Sequence, residues 1–144
     1  MSRFAVQIPL RWADLDVYRH VNHARTVTLL EEARVEMVFR RGTEDGAGAW
    51  SDGLLVADLR VDYKHQISYR GQSVLVTIGS SEVRAASFLL DYQLHTGPDD
   101  TDPVAVTART KMVPYNLDGG HARRLTEAER AFLGKWSNGV DGER

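Results

Sequence analysis

Apolar and polar positions change their period twice along this chain. Residues 3–10 alternate weakly and carry strand formers at Phe4, Val6, Ile8 and Leu10, which predicts a short strand. Pro9 puts that strand at a sheet edge or near its own end. From 23 to 41 the spacing becomes helical: Val27, Leu30, Ala33, Met37 and Val38 share one face, and Thr26 and Leu29 extend it. Asn22 stands where an N-cap belongs, Arg40 and Arg41 fall in the last turn, and Gly42 is a natural stop. After a glycine-rich loop at 43–53 the period falls to two. Segments 54–67, 73–85, 87–96 and 103–115 are rich in β-branched and aromatic residues and are joined by short turns, so they predict an antiparallel meander of about four strands. Thr126, followed by Glu127 and Glu129, signals a last helix at 126–135, and the tail 137–144 is expected to be disordered.

Strand, loop, long helix and four further strands make an α+β order. A long antiparallel sheet curls, and a helix of about 19 residues (~28 Å at 1.5 Å per residue) fits along its concave face. The 144 residues suit one domain, 1–144, with a core too small to cover every apolar surface, which leaves some for a second subunit. A net charge of −2 argues against general nucleic-acid or membrane binding, while local basic clusters can still hold a small anion. The absence of cysteine excludes disulfides, zinc ribbons and cysteine nucleophiles. No run approaches the length of a membrane span, and the N-terminus lacks a long apolar segment, so a cytoplasmic protein is expected.

Chemistry concentrates in the loop before the long helix, RWADLDVYRHVNH at 11–23, which holds Asp14, Asp16, His20, Asn22 and His23. Aspartate pairs in loops commonly accept local backbone N–H bonds, and that is one reading of Asp14 and Asp16. The other aims one carboxylate at a reacting centre. Free amides and the positive dipole end of the helix would then polarise a carbonyl and hold the oxyanion formed on attack. A carboxylate plus such an oxyanion site suffices to hydrolyse a thioester without a serine, a cysteine, a cofactor or a metal. His20 and His23 either tie the loop to the helix or line a cleft; His23, in the first helical turn, is better placed for the cleft. A metal held by Asp14, Asp16, His20 and His23 is the sharper rival, weakened because ligands from one short loop rarely wrap an ion without a distant one.

The stretch RWADLDVYRHVNHARTVTLLEEARVEM resembles the N-terminal signature of the hotdog-fold acyl-CoA thioesterases, the 4-hydroxybenzoyl-CoA thioesterase-like group. Trp12, Asp14, Asp16, His20, Val21, Asn22, Glu31 or Glu32, Ala33 and Arg34 fall in register with it, and VDYKHQISYRGQSVLV and VAVTARTKMVPYN resemble later strands. The resemblance implies a long helix wrapped by a curved sheet of about five strands. It implies homodimers or homotetramers that pair their sheets, with active sites at the interface. It implies Asp16 as nucleophile or general base, with His23, Asn22 and His20 shaping the oxyanion site. Trp12, Thr26, Lys64 and Arg70 are expected to meet the acyl-CoA substrate, and Arg84, Arg109 and Lys111 are further candidates for its phosphates. Arg34 has a local reading, an intrahelical pair with Glu31. Two positions depart from the signature. Arg19 replaces a glycine, which strains the loop if φ is positive there, and Thr26 replaces an aromatic, which widens the acyl pocket or makes it more polar. The expected activity is thioester hydrolysis to CoA and a free acid. The alternatives are a non-catalytic acyl-CoA-binding module and a dehydratase acting on a 3-hydroxyacyl thioester.

Overall fold

The computed structural model describes residues 2–138. Its strands are β1 (Phe4–Pro9), β2 (Leu54–Tyr63), β3 (Ser73–Ser81), β4 (Phe88–His95), β5 (Val104–Asn116) and the two-residue β6 (His121–Ala122). They pair antiparallel in the order β1-β3-β4-β5-β2, with β6 on the far end of β5. The pattern of two places Ile78, Leu90, Tyr92, Leu94 and Met112 on the concave face, all buried. Against them lies the long helix, with Leu29, Leu30, Ala33, Met37 and Val38 buried, as its spacing predicts. This is the single helix in a curved sheet that the sequence order implies.

That helix runs His23–Val35 in α geometry, Glu36–Arg41 in π geometry, and Gly42–Glu44 as a last α turn. Gly42 is therefore not its stop: its φ and ψ are −59° and −44°. Gly46 ends the helix at φ 91°. The Gly46 amide donates to Thr43 O and the Ala47 amide to Gly42 O, which is the paired-bond closure that a left-handed glycine after a helix permits. Two arginines followed by a glycine mimic a helix end, but the two closing bonds are made by the Gly46 and Ala47 amides.

Two predicted strands end early. The segment 54–67 leaves the sheet after Tyr63, where the amides of Lys64 and His65 both converge on Ala105 O and break the ladder. The segment 73–85 leaves after Ser81, because Glu82 sits at φ 44°. Gly53 at the start of β2 has to be glycine, since a Cβ there would lie 2.3 Å from Tyr115 O.

The C-terminal helix (Glu127–Lys135) forms where Thr126 and the two glutamates signal it and opens with a capping box: Thr126 Oγ1 accepts from Glu129 N, and Glu129 accepts from Thr126 N. Glu129 is fully buried and also receives both terminal nitrogens of Arg123, at 3.0 and 2.7 Å. The first residues of the expected tail, Ser137 and Asn138, are held against β3: Asn138 N donates to Ser80 O, and Ser80 N to Trp136 O. Residues 139–144 of that tail lie outside the described residues.

Candidate active site

The loop between β1 and the long helix folds as a small hairpin. Asp16 N donates to His20 O, Arg19 N to Asp16 O, and Leu15 pairs with Val21. A three-residue hairpin loop of this kind needs a left-handed residue in its last position, and Arg19 has φ 67°. The position where the signature carries glycine is thus a position that calls for it.

The two aspartates separate completely. Asp14 has no exposed surface; its Oδ2 accepts from Arg11 N at 2.8 Å, its Oδ1 from the Arg11 guanidinium at 3.0 Å, and its carbonyl from Asn22 N at 2.9 Å. It is the turn-forming carboxylate, and it fixes the helix cap. Asp16 is half-buried, and among the described residues its carboxylate accepts a single bond, from Tyr18 N to Oδ1 at 2.9 Å. It lines a cleft of about 490 Å³ together with His20, His23, Thr26, Tyr63 and Lys64, over a floor that includes Ile67 and Val106.

The helix start forms one wall of that cleft. Asn22 caps it as predicted, its Oδ1 accepting from Ala24 N at 2.9 Å and Arg25 N at 3.4 Å, while its carbonyl takes Thr26 N. Of the first-turn amides, that of His23 alone lacks an acceptor among the described residues. Tyr63 at the end of β2 braces this turn: its hydroxyl donates to His23 O at 2.7 Å and its ring meets the His23 ring edge-on at 6.4 Å. Partial burial raises the Tyr63 phenol above its ordinary value, so the donor stays protonated at neutral pH. His20 pairs through its backbone with Ser68, and its Nδ1 is buried with no partner among the described residues.

Six of the eight expected site residues thus meet at or beside the cleft, with Asn22 acting through the cap. The other two lie further out. Trp12 is exposed and stacks edge-on against Tyr69 at 6.1 Å, and Arg70 is exposed in the turn before β3. Arg84, Arg109 and Lys111 gather instead around a shallow hollow with Arg60 on the convex face of the sheet, with Arg109 held by Asp91 at 2.6 Å. Tyr18, Tyr63, His65 and Gln66 also line the cleft. Sequence spacing offers no signal for the last three, since only the curl of β2 brings 63–66 over a helix that starts forty residues earlier. Among the described residues no group of three His, Asp or Glu side chains is arranged to hold a metal, and no helix is long and apolar enough to cross a membrane.

The fold recurs in solved structures. A predicted thioesterase from Bacillus stearothermophilus superposes with a TM-score of 0.80 at 23% identity, covering 94% of this chain and 97% of that one. A 1,4-dihydroxy-2-naphthoyl-CoA thioesterase from Synechocystis gives 0.76 at 16% identity, covering 99% and 100%. A Thermus thermophilus thioesterase complexed with coenzyme A and Zn gives 0.72 at 24% identity, covering 92% of each chain. No curated protein matches the chain in sequence. Residues 10–135 match the family model of the thioesterase-like superfamily, and with its hotdog fold the chain belongs to that superfamily.

Proposed function

We propose that the protein hydrolyses an acyl-CoA thioester to CoA and a free carboxylic acid, at the cleft where Asp16 faces the start of the long helix. The carrying observation is a carboxylate that accepts one local bond and a His23 amide with no acceptor among the described residues, on two residues that line one cleft. Asp16 supplies the electron pair: it takes a proton from water, whose oxygen then attacks the thioester carbon, or it attacks that carbon itself to give a mixed anhydride that water hydrolyses once the thiolate has left. The carbonyl oxygen becomes an oxyanion against the His23 amide and the dipole of the helix. Collapse expels the CoA thiolate, which takes up a proton. Asn22 holds the amides in place, and His20 and the His23 ring line the site. Thr26 and Lys64 meet the substrate within the cleft, while Trp12 and Arg70 lie outward along the path for the CoA arm. That a neighbouring thioesterase is complexed with coenzyme A supports a CoA-type ligand.

The protein acts as a cytoplasmic homodimer built on β2, and the dimers can pair further into a homotetramer. Strand β2 bonds only β5 among the described strands, so its other edge is open. Its concave-face residues Val56, Leu59 and Tyr63 are 44–50% exposed, although their strand neighbours on β5 are buried. A two-fold copy laid antiparallel on this edge satisfies its backbone groups and covers that apolar strip.

Thiol release from a panel of aryl- and alkyl-CoA thioesters tests the activity. Turnover of at least one, unaffected by chelator, is expected. Binding of a non-hydrolysable analogue without turnover of any thioester would instead identify a binding module.

A further inference from the structure

The long helix carries a charged pair that its own chain leaves poorly matched. Val27, Leu30, Glu31 and Arg34 occupy one stripe at helical spacing, beside the uncovered strip of β2. With Val56, Leu59 and Thr110 they border a recess of about 230 Å³. The Arg34 side chain is only 14% exposed and donates to Tyr92 Oη at 3.2 Å, and Tyr92 in turn bonds Thr110 at 2.8 Å. Glu31 is its nearest carboxylate, at 3.9 Å, and that side chain is 62% exposed. A nearly buried guanidinium held by a neutral phenol, with its carboxylate at the outer limit of contact, is an incomplete ion pair.

We propose that the pair is completed by a second copy of this chain: Arg34 of each protomer receives Glu31 of the other across the two-fold axis. This rests on the β2 dimer proposed above and adds what fixes its register. An isologous interface sets residue i against j and j against i, so a surface offering one acid and one base on the same stripe is complementary to itself. The flanking Val56 and Leu59 supply the apolar surround that excludes water from the exchanged pair and strengthens it. The pair selects one alignment of two otherwise plain apolar edges.

Charge reversal tests this in a way the intrahelical pair cannot imitate. Glu31→Arg and Arg34→Glu, each alone, set like charges against each other twice per dimer, and sedimentation is expected to show each weakened by roughly 30-fold or more in dimer Kd. Mixed in equal amounts, the two variants regain both attractions across the interface and are expected to form a heterodimer near wild-type affinity. An intrahelical pair would stay broken in each chain, and mixing would restore nothing. Glu31→Gln, at an exposed position whose side chain has no partner besides Arg34 among the described residues, guards against misfolding and is expected to weaken the dimer several-fold. A dimer indifferent to Glu31→Gln, or variants that do not recombine, would overturn the exchange while leaving the β2 dimer standing. A monomeric wild type would remove the dimer itself.

Discussion

Asp14 and Asp16 stand two residues apart in one loop and do opposite work. Asp14 is sealed inside, with an amide and a guanidinium from Arg11 on its oxygens and the Asn22 amide on its carbonyl. Asp16 keeps most of its hydrogen-bonding capacity free and turns it toward a cleft. A saturated carboxylate holds a backbone; an unsaturated one is available to a substrate. The 3-10 turn Trp12–Asp14 and the hairpin after it point the two side chains apart, which an extended strand with this spacing would not do.

The widest separation between them is expected from Asp16→Asn, which should lower kcat by about 10³-fold, the scale of a lost general base, while melting within a degree or two of wild type. Acyl-CoA turnover surviving that change would end the assignment. Asp14→Ala is the mirror experiment. It should cost about 2 kcal/mol in denaturant midpoint analysis, because the Arg11 amide is left without its acceptor, while kcat per folded molecule changes little. If both variants lose activity alike, the division of labour is wrong.

Asn22→Ala tests the element that joins the two aspartates. The lost cap should cost about 1 kcal/mol, and because the freed Ala24 and Arg25 amides loosen the helix start proposed to hold the oxyanion, kcat should fall more than KM rises. Arg19→Gly probes the turn that orients Asp16. Relief of the left-handed backbone is worth about 1 kcal/mol and the added chain entropy takes back part of it, so a rise in Tm of no more than a few degrees with unchanged turnover is expected. The smallest effect lies at the far end of the long helix. There a hydrogen bond from Lys135, helped by Arg41, holds the Asp45 carboxyl below its ordinary value. A depressed acid stabilises the fold above its unfolded pKa of about 3.9 and loses that contribution as pH falls through the lowered folded value. The melting difference between wild type and Asp45→Asn should therefore be present at pH 6 and shrink below about pH 4.

Much of this was legible in advance. The helical face from Thr26 to Val38 depends on a local period, and so do the Asn22 cap and the helix start at Thr126; each needs only neighbours within four residues. The errors were local imitations. Arg40, Arg41 and Gly42 look like a helix end, but the bonds that stop the helix belong to Gly46 and Ala47. The segments 54–67 and 73–85 read as unbroken strands, but a doubled acceptor at Ala105 and a left-handed Glu82 end them.

By itself the sequence determined the order of elements, the polarity of the helix and the place in the chain where proton-handling groups gather, because period, capping and composition are short-range properties. The tertiary structure decided which aspartate carboxylate faces the cleft, that Tyr63 braces His23 across forty residues, and that Arg34 bonds Tyr92 with its intrahelical partner Glu31 at 3.9 Å. Those outcomes depend on how far the sheet curls around the helix and on what each side chain meets there. Contacts of that range are set by burial and by competition for hydrogen-bond partners, and neither is encoded in spacing along the chain.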